Sequence, residues 1–83
     1  MRRVRVYRTR RRQEMYLYVD ADEDLARVPD ALLERFGVPI EALALDLHPG
    51  RPLARADVAE VLRQIEATGF YLQMPPAIEE SLP

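Results

Sequence analysis

The first twenty residues hold two short runs in which hydrophobic and polar positions alternate. In the first run, residues 4–8, Val4 and Val6 point to one side, and the other side takes Arg3, Arg5 and Tyr7. In the second run, residues 15–19, Tyr16 and Tyr18 lie opposite the aliphatic positions, which are Met15, Leu17 and Val19. Alternation with a period of two is typical of β-strands with one buried face. The connection has no Gly or Pro, so we predict a hairpin with a loose loop.

Two later segments have helical spacing. Residues 29–37, PDALLERFG, predict a short helix that starts at Pro29 and ends before Gly37, with Leu32, Leu33 and Phe36 on one face. Residues 57–69, DVAEVLRQIEATG, predict a second and longer helix. Asp57 is its expected N-cap, with Glu60 completing a capping box, and Gly69 is the expected end.

Two further segments are predicted as strands. Residues 41–47, EALALDL, alternate Leu with smaller or polar residues, although Glu, Ala and Leu also favour a helix. Residues 70–74, FYLQM, place Phe70, Leu72 and Met74 opposite Tyr71 and Gln73. The predicted order is β-β-α-β-α-β.

This order predicts a small α+β fold, an α/β sandwich with a sheet of three or four strands and both helices packed on one face. The expected boundary is a single domain at residues 1–76, followed by an extended or frayed Pro-containing tail at 77–83. The predicted core comprises Val4, Val6, Met15, Leu17, Val19, Leu32, Leu33, Phe36, Leu43, Leu45, Val61, Leu62, Ile65, Phe70 and Leu72.

The composition argues against several kinds of catalytic and metal-binding site. The 83 residues include no cysteine, one histidine (His48) and one serine (Ser81, next to the C-terminus), so neither a thiolate metal site nor a Ser-His-Asp triad is expected. The acidic run DADED at residues 20–24 begins like a calcium loop. However, Leu25 stands where that loop needs Gly, and Ala31 where it needs Glu. We therefore predict no catalytic, metal or cofactor site.

The apolar runs are too short for a signal peptide or a membrane span, so a cytoplasmic location without membrane contact is expected.

Charge is divided unevenly along the chain. Residues 1–20 carry seven Arg against Glu14 and Asp20, a net +5, whereas residues 21–83 carry five Arg against twelve acids, a net -7. Such a division is found in proteins whose basic half faces nucleic acid, and also in small folds whose two halves neutralise each other. All twelve basic residues are Arg, which together with the many Ala, Leu and Pro suggests GC-rich coding and weakens an argument from arginine alone.

Three segments together resemble the YcgL domain family of small bacterial proteins. They are Y-R-T-x(6)-Y-L-Y-V at residues 7–19, R-V-P-x(2)-L-L-x(2)-F-G at 27–37 and G-F-Y-L-Q-M-P-P at 69–76. The resemblance runs from about residue 4 to 76 and implies a compact α/β domain from gammaproteobacteria, with no established activity or catalytic residues. This chain differs in carrying Arg10 to Arg12 where the family hairpin often has Lys or Ser.

The candidate binding surface follows from the strand pattern. If the aliphatic sides face the helices, the other sheet face gathers the tyrosines and two arginines, and the loop adds more basic residues: Tyr7, Tyr16, Tyr18, Tyr71, Arg3, Arg5, Arg8, Arg10, Arg11 and Arg12. We predict a non-enzymatic module that binds a protein partner or a second copy through this face. The alternative is single-stranded RNA, with bases stacked on Tyr and phosphates held by Arg. A minor alternative is a hydrolase using Asp46, His48 or the acidic loop.

Overall fold

The computed structural model describes residues 2–50, Leu53 and residues 57–74. The elements follow the predicted order and are β1 (Arg2–Arg8), β2 (Tyr16–Asp20), α1 (Asp30–Phe36), β3 (Ile40–Leu47), α2 (Val58–Thr68) and β4 (Phe70–Gln73). They form one four-stranded antiparallel sheet in the order β3-β1-β2-β4. The fold class is confirmed, and the ambiguous EALALDL segment is a strand. The predicted tail at 77–83 lies outside the described residues.

The pairing of β1 with β2 differs from the expected grouping of side chains. Val6 lies opposite Tyr18, and Tyr7 lies opposite Leu17. Residues directly opposite each other point to the same face of a sheet. The valines of β1 therefore share a face with the tyrosines of β2, and the predicted single aliphatic face is wrong. Alternation within each strand was predicted, but the register between strands sets which sides coincide.

Because of this register, both faces of the sheet carry apolar residues, and each face is covered by a different helix. Val61 and Ile65 of α2 pack in one cluster with Val4, Val6, Tyr18 and Leu47. Phe36 of α1 packs in a second cluster, on the other face, with Tyr7, Met15, Leu17, Val19 and Val28. The expectation that both helices lie on one face is therefore corrected: we call the two sides the α2 face and the α1 face.

The N-cap and the end of α2 agree with the sequence prediction, but Glu60 does not complete the predicted capping box, because its carboxylate contacts Gln64 and Arg63. The Asp57 side chain accepts a hydrogen bond from the Ala59 N–H at 2.9 Å, as an N-cap does. Gly69 has φ of +92° and closes the helix in the left-handed conformation, donating its N–H to the Ile65 carbonyl. These two residues fix where the helix begins and where the chain turns into β4.

The predicted core is largely confirmed, with one clear error. Leu43, on the edge strand β3, is 50% exposed. The sequence pattern also missed Leu47, which is completely buried, and the buried Tyr7 and Tyr18.

Candidate interaction surfaces

The four tyrosines of the predicted surface do not lie together on an open face. Tyr16, Tyr18 and Tyr71 belong to the α2 face, whereas Tyr7 lies on the α1 face opposite Leu17. Tyr18 and Tyr7 are only 8% and 9% exposed. The register between β1 and β2 separates Tyr7 from the other three, and Tyr16 and Tyr71 are half-buried, so the predicted single exposed tyrosine face is corrected.

Tyr18 has the surroundings of a core residue. Its ring meets that of Tyr71 edge to face, with centroids 5.8 Å apart and an interplanar angle of 76°. Its hydroxyl donates to the buried Gln73 side-chain oxygen at 2.9 Å. Burial raises the pKa of Tyr18 above its ordinary value. Gln73, which the sequence pattern placed on the same side of its strand as Tyr71, satisfies this buried hydroxyl.

Three of the four arginines of β1 have carboxylate partners within the fold. Arg3 lies 3.3 Å from Asp46, and Arg2 pairs with Asp20 at 3.0 Å. Arg5 pairs with Asp24 at 2.9 Å and lies 3.8 Å from Glu41. The contacts of Arg3 and Arg5 join the basic start of the chain to its acidic remainder, so the charge asymmetry of the sequence is in part an internal ion-pair network.

Asp24 is the centre of a small polar cluster on the α1 face. One of its carboxylate oxygens accepts the Tyr7 hydroxyl at 2.6 Å and the other accepts Arg5. Burial, reinforced by the Asp24 carboxylate, raises the pKa of Tyr7 above its ordinary value. Asp24 has φ of +53°, an uncommon conformation that Asp tolerates better than most residues. This residue of the acidic run at 20–24 is thus anchored to β1.

The hairpin loop attaches to the end of α1 through two side chains. The Thr9 hydroxyl donates to the Phe36 carbonyl, and the Arg11 guanidinium donates to the Glu34 carbonyl at 2.9 Å. The last carbonyls of a helix lack partners within the helix, so both contacts satisfy groups that α1 leaves free. Thr9 was absent from the predicted site, although it stands in the Y-R-T segment that suggested the family.

The arginines at the end of β1 and in the hairpin loop are the least neutralised basic groups. Arg8, Arg10 and Arg12 are exposed, and none forms an ion pair with a carboxylate of the described residues. Arg35, in the last turn of α1, shares this condition and was not predicted as a site residue. The predicted set of arginines therefore splits into Arg3 and Arg5, which have carboxylate partners, and Arg8 to Arg12, which form no ion pair with a described carboxylate.

The outer edge of β3 is a second surface that the sequence pattern did not identify. No described strand pairs with it. Opposite β1 the register skips Ala42, since Val6 pairs with Leu43 and Tyr7 with Glu41. This bulge shifts the alternation of β3, so that Glu41 and Asp46 both reach the α1 face, where Arg5 and Arg3 lie. Finding the surface required the strand order.

The described residues include neither a candidate metal-binding cluster nor a helix that could span a membrane. Among residues 2–50, 53 and 57–74, no group of three or more His, Cys, Asp or Glu side chains could hold a metal ion. No helix within these ranges has the length and apolar character needed to cross a bilayer. His48 is exposed, and Asp46 is engaged with Arg3.

Comparisons with known proteins support the family resemblance that the three sequence segments suggested. The family model of the YcgL domain matches residues 4–76. A YcgL domain-containing protein of Chromohalobacter salexigens is 56% identical over 77 residues, which cover 93% of this chain and 80% of that protein. Another, from Pseudomonas aeruginosa, is 59% identical over 75 residues, or 90% of this chain and 77% of the relative. One from Azotobacter vinelandii is 51% identical with the same coverage. This chain belongs to the YcgL domain family.

Proposed function

We propose that this chain is a non-enzymatic interaction module that associates with a second copy of itself along the outer edge of β3. The observation that carries the proposal is the exposed state of this eight-residue edge, where Leu43 is 50% exposed. Association through the tyrosines, as the sequence suggested, is replaced because Tyr7 and Tyr18 are buried on opposite faces of the sheet. A second copy was already among the partners expected from the sequence, but the surface proposed for it is now the edge of β3 instead of the tyrosine face.

An open edge presents unpaired N–H and C=O groups to solvent, and proteins usually protect such an edge with charged residues. The two acids of β3 give little protection here. Arg5 and Arg3 hold Glu41 and Asp46 over the α1 face. The remaining residues of the strand are Ile, Ala and Leu. The edge is therefore largely apolar, and its charges have partners inside the same molecule.

The sequence of β3 suits pairing with itself. Beyond the bulge at Ala42, residues 43–47 pair regularly with β1 and form the straight part of the strand. In a two-fold antiparallel pair the symmetry axis must pass through a residue, because opposing residues share a face. With the axis at Leu45, Leu43 lies opposite Leu47 of the partner subunit, and Ala44 lies opposite Asp46 of the partner subunit. No carboxylate then faces another, and the exposed Leu43 gains an apolar neighbour.

Light scattering coupled to size exclusion tests this model at several protein concentrations. We expect a dimer for the unaltered chain and a monomer for Leu43→Lys. Val38→Lys is the matched control, because Val38 is 78% exposed and lies outside β3. A monomer at every concentration up to the millimolar range contradicts the proposal, as does equal disruption by both substitutions. A stable complex with another protein that Leu43→Lys abolishes, without any dimer, would assign the edge to a different partner.

RNA binding is a second candidate, supported by the exposed Arg8 and Arg10, which pair with no described carboxylate. Tyr7 and Tyr18 are buried, and only Tyr16, opposite Arg8, is half-exposed beside these arginines. The expected binding therefore rests mainly on phosphate contacts and falls steeply with salt. We would titrate labelled single-stranded RNA against Arg8→Gln/Arg10→Gln, with Arg3→Gln/Arg63→Gln as the charge-matched control. Affinity that is insensitive to salt, or equally reduced by both pairs, contradicts this candidate.

A further inference from the structure

A cavity of about 350 Å³ lies between the hairpin loop, α1 and the end of β4. Five apolar residues form its floor and sides: Met15, Leu32, Phe36, Leu72 and Met74. Three arginines line the rest: Arg11, Arg12 and Arg35. No described carboxylate residue is among the lining groups. Its volume falls within the range of small-molecule sites, roughly 300–1,000 Å³.

We propose that this cavity binds a small amphipathic anion, a carboxylate, sulfonate or phosphate head on an aliphatic or aromatic body. The guanidinium groups meet the head, and the apolar floor meets the body. An inorganic anion would leave the floor without a partner, whereas a neutral apolar molecule would leave the guanidinium groups without one. Only a ligand with both parts matches the whole lining.

The arginines differ in how they are held. Arg11 is fixed by its hydrogen bond to the Glu34 carbonyl, so it is already oriented when a ligand arrives. Arg12 and Arg35 form no ion pair with a described carboxylate. Gathering like charges around one cavity is unfavourable in the absence of an anion. A bound head group removes this repulsion and gains charge-assisted hydrogen bonds.

The apolar part of the cavity includes both buried and exposed side chains. Phe36 is completely buried at its base, and Met15 is 7% exposed. Met74 at its margin is 52% exposed, which is unusual for a large hydrophobic side chain in this fold. Methionine adapts its shape to different apolar partners. An acyl or aryl group that enters beside Met74 covers this side chain and reaches the buried base.

Methyl NMR gives a direct test with octanoate as the probe. We expect saturable shifts of the Met15 and Met74 methyl signals, and about tenfold weaker binding in Arg35→Gln, equivalent to one charge-assisted contact. Arg63→Gln is the matched control, since it removes the same charge from an exposed helical position on α2, and it should leave binding unchanged. Met15→Leu and Met74→Leu assign the two signals.

Octan-1-ol and inorganic phosphate separate the two parts of the ligand. We expect octan-1-ol to bind at least tenfold more weakly than octanoate, and phosphate to leave the methyl signals in place. Equal binding of octan-1-ol and octanoate would overturn the proposal, because the arginines would then contribute nothing. Octanoate shifts that do not saturate, or that Arg63→Gln reduces as strongly as Arg35→Gln, would overturn it too.

Discussion

The phenolic oxygen of Tyr7 lies 2.6 Å from a carboxylate oxygen of Asp24. This hydrogen bond ties β1 to the loop that follows β2, and Arg5 holds the second carboxylate oxygen at 2.9 Å. The sequence pattern assigned Tyr7 and Arg5 to a binding face and Asp24 to an acidic loop. In the structure these three side chains form one hydrogen-bonded unit. The unit fixes a loop whose residue Asp24 has positive φ.

Replacement of Tyr7 by Phe removes this hydrogen bond while keeping the ring. We expect a loss of about 1–3 kcal/mol in the free energy of unfolding, because the partner is a charged carboxylate. Tyr16→Phe is the control, since its hydroxyl has no hydrogen bond to a described residue, and it should change stability by less than about 0.5 kcal/mol. Urea denaturation measures both. Equal losses in the two variants would contradict a specific role for the Tyr7 hydroxyl.

Thr9→Val tests the attachment of the hairpin loop to α1. The substitution keeps the shape of the side chain but leaves the buried Phe36 carbonyl without its donor. Such an unsatisfied group costs about 1–3 kcal/mol, which denaturant unfolding resolves. The Thr68 hydroxyl donates to the Gln64 carbonyl on an exposed surface, so Thr68→Val should cost less than about 0.5 kcal/mol. If Thr9→Val is as mild as Thr68→Val, the loop does not depend on this contact.

Gly69→Ala should destabilise the chain at the turn from α2 into β4. Gly69 has φ of +92°, and an added Cβ would lie 2.5 Å from the Arg27 Cβ. We expect a loss of about 1–3 kcal/mol and a lower melting temperature. Gly50→Ala serves as the control, because the nearest atom to an added Cβ there is the His48 ring nitrogen at 3.4 Å. A Gly69→Ala variant as stable as Gly50→Ala would rule out both the strain and the close approach.

Asp20 should make stability sensitive to acid. Hydrogen bonds from the Glu23 and Asp22 backbone N–H groups, together with Arg2, hold the pKa of Asp20 below its ordinary value. A carboxyl whose pKa is lower in the folded state stabilises the fold above its unfolded pKa, near 4. That contribution is lost as the pH falls through the folded value.

Asp20→Asn should therefore lower stability at pH 7 and flatten the loss of stability between about pH 4 and pH 2. Thermal unfolding across this range measures the slope. Asp30→Asn is the control, because Asp30 is exposed and its side chain has no ion pair with a described residue. Parallel pH profiles for Asp20→Asn and the unaltered chain would contradict the linkage.

The candidate site was only partly predictable from the residue pattern. The loop arginines were identified because a cluster of charges in a hairpin connection is visible in the sequence. The tyrosines were misplaced because alternation within β1 and β2 does not reveal their register, and Tyr7 opposite Leu17 reverses the expected grouping. Arg35 was not identified because it lines a cavity together with the hairpin loop, which is distant in sequence. Leu43 was misjudged because the position of β3 at the edge depends on the strand order.

The sequence by itself determined which segments are helices and strands, and in what order. Period-two and helical spacing, the cap at Asp57 and the glycine at position 69 are local signals, because each depends on residues a few positions apart. Only the tertiary structure decided which helix covers which face, which arginines have carboxylate partners and which strand edge stays open. These properties depend on the pairing of residues far apart in the chain, such as Arg2 with Asp20 and Glu66. A single sequence does not encode such pairings in its local pattern.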